Sequence, residues 1–523
     1  MYIEPQTNIK ILKNVPLDTT YEHTIYFNSL EAQRLYFASK QKYNLANYTY
    51  QRVQRGMARV GIKADDLYDC NYMMFQNTAY GNKWFYAYIT AVEFVNNETA
   101  QITFELDVMQ TWFFDCEPDY CFVEREHSVT DGIGENIVPE SVALGEYVAN
   151  SYDSLKDFTD LSVIIAIVDT SQPTDGKVYD GIYGSATLYA YDSTAILGIN
   201  NKINEYLQKP DAIISMYVCP TQFVDSIGTD HKIATTTQAK VWGVLDSAIS
   251  TNDTIDGYLP KNAKLYTYPY NFYHVDNASG SELSLRYEFF ANLIPSFEIS
   301  CMITQPVKAC IRPSTYKNTS TQMGSGTLNT ESITLSNFPM CSWNVDAYQA
   351  WVAQNSVPMT IDAVSSLVGM GVTAATAATP SQATSAGAGA IKEGISLVAN
   401  VLKQHYIASI GADISKGSMN NGGINASDGH QQFYGGRFSI THQMAKIIDD
   451  FFTRFGYATN QLKVPNRNSR SHWNYVKTIG CTVTGSVPAD DMRKICSIYD
   501  NGITFWKQGS EVGDYSQNNS LIR

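Results

Sequence analysis

The sharpest hydrophobic pattern in the chain is QITFELDV at residues 101–108. Ile102, Phe104, Leu106 and Val108 alternate with Gln101, Thr103, Glu105 and Asp107. A period of two means a strand with one buried face and one polar face. WFYAYITAV at 84–92 is rich in aromatic and β-branched residues, and Asn96-Asn97 supplies turn chemistry between the two runs. The pair predicts an antiparallel hairpin. A short helix is expected before it, at about Leu30 to Lys40, with Ser29 as N-cap.

Further on, LSVIIAIV (161–168) and IISMYV (213–218) read as buried strands. Residues 135–260 are expected to form a separate α+β unit inserted into a larger β domain. That domain resumes near Leu265 to Phe272. Toward the C-terminus, Met444, Ile447, Ile448, Phe451, Phe452 and Phe455 form a helical stripe, capped by Thr441 and Gly456. Pro488 opens a second helix with Met492, Ile495 and Tyr499 on one face, ending near Gly502, and a strand is expected at Ile503–Trp506. The fold class is mainly β with some α. The expected divisions are a β-rich first part (1–134), the insert (135–260), a second β part (261–350), a long loop (351–430) and a C-terminal part (431–523).

The loop is different in kind. From Ala363 to Ile391 no residue is charged, and GMGVTAATAATPSQATSAGAGA is built almost wholly from Ala, Gly, Ser and Thr. After it, Ile391, Ile395, Val398 and Leu402 recur on one helical face. SKGSMNNGGINASDGH (415–430) then reads as a flexible arm. A bilayer-spanning helix needs ~20 mostly apolar residues. The length suffices, yet Thr, Ser and Gly dilute the hydrophobicity, and Pro380 with the glycines would break an ordinary helix. Two readings stay open on composition: a segment kept in a protein cavity and released into lipid, or a low-complexity loop.

Composition narrows the function. The 523 residues carry 17% charged side chains, 35 tyrosines and a formal net charge of −14. That balance excludes a protein that grips nucleic acid through a basic surface, and equally a polybasic membrane-surface binder. The nine cysteines form no C-x-x-C pair and have no histidine at zinc-finger spacing, so reduced thiols in or near cores are expected, with neither disulfide nor metal. MYIEPQTNIKIL lacks a basic start followed by an apolar run, so no secretory leader is read and synthesis in a reducing cytoplasm is expected. No phosphate loop, nucleophile elbow or H-E-x-x-H occurs. Glu124, Glu126 and His127 are dense enough to consider as acid/base groups, with Asp131 nearby. The plainer reading is ion pairing at a subunit contact. His430 and His442 could bind a metal but no acidic or histidine cluster surrounds them.

Several long strings occur together in order: FQNTAYGNKWFYAYITAVEF and ITFELDVMQTWFFD within 75–115, FVEREH (122–127), YTYPYNFYHVDNASG (266–280), IRPSTY (311–316) and FGYATNQLKVPNRNSRSHWNYVKTIGCTVTG (455–485). In this order they resemble the tail knob, or distal tail tube, proteins of small short-tailed phages with protein-primed genomes. The resemblance spans nearly the whole chain and is weakest at about 135–260. It implies a structural, non-enzymatic virion protein at the distal end of the tail, without cofactor. Six copies would form a tube joined to the proximal tail tube (lower collar) protein. Phage DNA would pass through the lumen without tight binding.

The uncharged stretch lies where the family carries an apolar loop that plugs the lumen and later enters the host membrane. The residues implicated are Val364, Leu367, Val368, Met370, Val372, Ile391, Ile395, Leu397, Val398, Val401 and Leu402. The polar face of the alternating strand, Gln101, Thr103, Glu105 and Asp107, is fit for a wet lumen. Two other readings compete: a wall-degrading hydrolase using Glu124, Glu126 or Asp131, and an adhesin using 135–260 as its contact surface.

Overall fold

The computed structural model describes residues 6–522 except 49–55, 79–80, 159–160, 169–175, 180–181, 193, 196–197, 207–211, 225–229, 234–239, 279, 304–306, 318–330, 336–337, 339, 343–417 and 421–431. The chain divides into two compact units. One comprises Met1–Glu146, Thr251–Tyr270 and Ile440–Arg523; the other comprises Tyr147–Ser250 and Asn271–Ser439.

The first unit is built on a six-stranded antiparallel sheet ordered Gln41–Tyr48, Thr7–Lys13, Cys70–Asn77, Trp84–Asn96, Thr99–Leu106, Met57–Val60. The expected hairpin is its long central pair, with Val92 opposite Ile102 and Glu93 opposite Gln101. Asn96 Oδ1 accepts the Glu98 N–H at 2.9 Å and closes the turn. Successive side chains leave a strand on opposite faces, so the sheet serves two cores. Ile11, Met73, Ala87 and Ile102 enter one; Leu12, Tyr72, Tyr86 and Tyr88 enter the other.

The second core also receives a five-stranded sheet, ordered His23–Ile25, Ile503–Trp506, Trp473–Ile479, Cys121–Glu126, Tyr457–Lys463. The helix Leu30–Ser39 is capped by Ser29, whose Oγ accepts the Ala32 N–H at 3.2 Å. It buries Phe37 in stacked contact with Tyr72, ring centroids 5.2 Å apart. Helix Ala489–Asn501 adds Ile495, Ile498 and Tyr499 to the same core. Full burial of each such side chain contributes ~1.5–3 kcal/mol, and this is what fastens both chain ends into one unit.

Helix His442–Phe455 has the expected caps, Thr441 and Gly456. Its stripe is narrower than the sequence pattern: Ile448 and Phe452 are buried with Ala445, whereas Ile447 is exposed. Asp449 takes a place on the buried face.

The second unit is almost wholly β among its described residues, with one α-helix, Gly198–Glu205, and short 3-10 turns. Leu161–Ile167 lies between Ile182–Tyr191 and Ile213–Pro220, and Ser162 to Ile167 are all buried. Burial on both faces explains its unbroken apolar run. A four-stranded sheet runs Lys240–Leu245, Ser296–Met302, Lys308–Pro313, Ile333–Leu335. A further sheet joins Tyr147–Ala149, Gln432–Ile440, Asn271–Asp276 and Glu282–Leu285.

The strand pairings divide the chain differently from the sequence pattern. Residues 135–260 are not a self-contained α+β insert, because sheets cross the expected boundary at 260. Lys240–Leu245 pairs with Ser296–Met302, and Ile213–Pro220 pairs with Met340–Ser342. Most of 261–350 therefore belongs with the middle region and not with the first β part. Residues 251–270 are the exception and return to the first unit. Within the stretch expected to resume β structure near Leu265 to Phe272, a tight turn at Ala263–Tyr266 comes first and the strand runs Asn271–Asp276.

Gly456 has φ +64°, and a Cβ there would sit 2.2 Å from the Glu126 carbonyl oxygen. Gly456→Ala should therefore destabilise the chain by more than about 2 kcal/mol. Urea denaturation of the two proteins measures this; an unchanged midpoint contradicts it.

Candidate functional site

The polar face of strand Thr99–Leu106 stands out first. Gln101 and Thr103 are half-buried and Glu105 is exposed, while Ala100, Ile102 and Phe104 on the opposite face are buried. Gln101 lies between two partners: its amide donates to Glu93 Oε2 at 2.9 Å and its carbonyl accepts from Arg59 Nε at 3.2 Å. The Thr90 hydroxyl donates to the Thr103 carbonyl at 3.1 Å. Glu105 pairs with Lys494. This face is a hydrogen-bonded, wettable surface.

Asp107 leaves the set. The strand ends at Leu106, and Asp107 is wholly buried. It caps the short helix Val108–Thr111, accepting the Gln110 N–H at 3.0 Å and the Tyr72 hydroxyl at 2.7 Å. Burial raises its pKa despite these donors. The alternation ran two residues past the strand, because an N-cap aspartate continues the polar register and Val108, the first helical residue, the apolar one.

The second concentration of polar groups starts at Glu124. Lys477 Nζ lies 2.8 Å from Glu124. Glu126 is buried, pairs with Lys463 and accepts the Asn466 N–H at 2.8 Å. His127 is buried as well. Its Nδ1 accepts the Tyr475 N–H at 2.8 Å, so the ring proton sits on Nε2, 3.1 Å from the Thr453 carbonyl. Burial, with Arg470 nearby, pushes its pKa down to about 3. Asp131 accepts the Tyr457 hydroxyl at 2.6 Å and faces Arg470 at 3.2 Å. These oxygens and nitrogens are occupied by structural partners within the chain, so the ion pairs expected at a subunit contact are intramolecular.

Two buried carboxylates were missed by the sequence reading. Glu140, with no side-chain exposure, pairs with Arg125, lies 2.6 Å from Lys264 Nζ, and accepts the Ala458 N–H at 2.8 Å. Burial lowers the Lys264 pKa against the pull of Glu140. Asp449 accepts the Tyr258 hydroxyl at 2.7 Å and the N–H groups of Lys261 and Asn262 at 2.8 and 3.1 Å. Glu140 lies in a stretch with no strong pattern of its own, whereas Asp449 sits within the helical stripe between Ile448 and Phe452, where a lone charge on the apolar face was the available signal.

Among the described residues no group of three or more His, Cys, Asp or Glu is placed to hold a metal. His442 opens its helix with its N–H on Asp256. His430 and all eleven loop residues from Val364 to Leu402 lie outside the described residues. No helix among the described residues is long and apolar enough to cross a membrane.

Residues 235–520, more than half of the chain, match the family model of the C-terminal domain of tail knob protein gp9 of Bacillus phage phi29. The chain belongs to the phage tail knob family. Residues 5–117 match the N-terminal model of caudoviral major tail proteins. Tail knob proteins gp9 of Bacillus phages phi29 and B103 are each 26% identical to it, over 98% of this chain and 98% of theirs. The solved tail knob protein gp12 of bacteriophage C1 shares the fold, with a TM-score of 0.60 over 99% of this chain and all of that one at 15% identity. This tail knob protein is thus a structural component of the tail of a short-tailed phage, and its relatives carry the names of structural proteins and not of enzymes.

Glu140→Gln should cost ~3–5 kcal/mol, because it leaves two buried cations without their counter-charge. An unchanged denaturation midpoint would remove Glu140 from its anchoring role. A pH effect follows from His127. The folded chain takes up that proton only near pH 3, the unfolded chain near 6.5, so stability falls as pH drops through this window. The loss between pH 7 and 4 should be smaller in His127→Asn than in the parent; equal slopes contradict the assignment.

Proposed function

We propose that copies of this chain, six by resemblance, close into a ring at the distal end of the tail and form the conduit through which the genome leaves. The observation that carries this reading is the match to tail knob proteins over 98% of both chains. The wettable face of Gln101, Thr103 and Glu105 supports it as a candidate lumen surface. The formal charge of −14 supports a conduit that does not bind DNA tightly, since each added copy repeats the acidic balance. The proximal (lower collar) tube protein is the partner above the ring.

The uncharged 363–391 stretch with the apolar residues to Leu402 is proposed as the lumen plug, released on infection into the host membrane. Backbone amides enter lipid only when paired, as helices or as a closed assembly. A single copy interrupted by Pro380 and glycines satisfies this poorly, so membrane insertion is cooperative across the ring.

Deleting 363–411 should leave the ring assembled and thermally stable while abolishing dye release from liposomes and genome delivery. Native mass spectrometry reads the assembly and fluorescence reads the leakage. A deleted protein that leaks dye like the parent, or fails to fold, sinks the plug assignment. A parent protein that stays monomeric at tail-like concentration sinks the ring.

A further inference from the structure

Three thiols of the first unit converge outside the networks described above. Cys121 begins the strand Cys121–Glu126, Cys481 lies between strands Trp473–Ile479 and Val483–Gly485, and Cys496 is on helix Ala489–Asn501. Phe122 pairs with Ile479, and the Asp119 N–H donates to the Thr482 carbonyl at 2.8 Å, which sets Cys481 opposite the start of the Cys121 strand. Asp500 lies one turn beyond Cys496 on the same helix face. Its carboxylate accepts the Cys481 N–H at 3.0 Å and the Thr478 hydroxyl at 2.7 Å, and so holds the 480–482 turn against the helix. Cys481, Cys496 and Asp500 therefore face one another around the same open cavity, while the Cys481 thiol itself lies against the Thr482 carbonyl at 3.8 Å.

Access distinguishes the three. An open cavity of about 600 Å³ is lined by Cys481 and Cys496, together with Met492, Arg493 and Asp500. Cys496 is partly exposed, while Cys121 is buried and does not line the cavity. A fourth thiol, Cys116, lies 3.3 Å from the Trp112 carbonyl and lines a separate, much smaller cavity.

We infer that Cys481 and Cys496 are a dithiol that closes to a disulfide by exchange with a small-molecule disulfide reaching it through this cavity. Oxidised glutathione serves as the probe. The Cys496 thiolate attacks one glutathione sulfur; that S–S bond breaks, and one glutathione leaves and takes up the proton. The Cys481 thiolate then attacks the Cys496 sulfur of the mixed disulfide and expels the second glutathione. Two protein thiols are oxidised and one external disulfide is reduced to two thiols, with no other oxidant needed. The bridge would tie helix Ala489–Asn501 to the turn at the end of the five-stranded sheet. Burial raises both thiol pKa values, so exchange is slow at neutral pH and speeds up about tenfold per pH unit while the thiolate remains the minor form.

The test incubates the full-length protein with oxidised glutathione in mildly alkaline buffer and maps disulfides by proteolysis and mass spectrometry. The expected product is a Cys481–Cys496 bridge with two glutathiones released per chain. A rise of several degrees in Tm should accompany it and reverse with dithiothreitol. Cys496→Ser should abolish the bridge and the Tm rise, while Cys116→Ser should leave both. Stable glutathione on Cys496, a Cys121–Cys481 bridge in its place, or no reaction would each overturn the proposal; the mapping on unaltered protein decides even if a variant fails to fold.

Discussion

One buried negative charge fixes how three segments of the first unit meet. Glu140 has no side-chain exposure, yet it carries a carboxylate that water would solvate far better than a protein interior. Its oxygens are met by Arg125 from strand Cys121–Glu126, by Lys264 from the Ala263–Tyr266 turn, and by the Ala458 amide from strand Tyr457–Lys463. Three stretches, each more than a hundred residues from the next, must meet at one point for that charge to be tolerated. The apolar residues around it (Ile255, Leu265, Tyr270, Ile448, Phe452) would pack in many arrangements. The carboxylate admits few, because each alternative leaves a charge without its partner. Asp449 repeats the device from the adjoining helix, tying it to Lys261 and Asn262.

This explains what could be read from the sequence. Where one local physical rule decides the outcome, the chain announced it. Ser29, Thr441 and Gly456 cap the expected helices, Ile503–Trp506 is a strand, and the 84–106 hairpin has its turn at Asn96. Where a long-range partner decides, it did not. Ile447 has the right spacing for a buried face but is exposed, while charged Asp449 is buried because Asn262 reaches it from 187 residues away. The domain boundary at 260 failed for the same reason. Strand pairing between Lys240–Leu245 and Ser296–Met302 leaves no mark in either segment's periodicity.

Geometry argues against an acid/base role for Glu126 and His127, whose polar atoms already have structural partners. Catalysis needs a group that can exchange a proton with a bound substrate. Glu126 is held by a lysine and a backbone amide, and both His127 nitrogens are engaged, one by the Tyr475 N–H and one by the Thr453 carbonyl. The density of charge that drew attention to FVEREH is the density needed to anchor the strand, since it lies between Trp473–Ile479 and Tyr457–Lys463 and must satisfy partners on both sides. A run of alternating charges in a central strand is thus better read as a junction than as a reaction centre.

The shortage of charge elsewhere follows from the same economy. At −14 per chain, neighbouring copies in the proposed ring would repel one another, and the repulsion would grow with every copy added. Association then has to come from surfaces where charge is sparse. The first unit exposes large apolar side chains at Phe94, Tyr120, Leu462 and Ile479. The last two stand on either side of Phe122 across three adjacent strands, so they share one sheet face. Exposed apolar side chains grouped on one face are costly in a solitary protein and favourable where a partner covers them. A low charged fraction therefore lets one chain serve both demands of the proposed conduit: contacts that tolerate like-charged neighbours, and a lumen that DNA passes without being held.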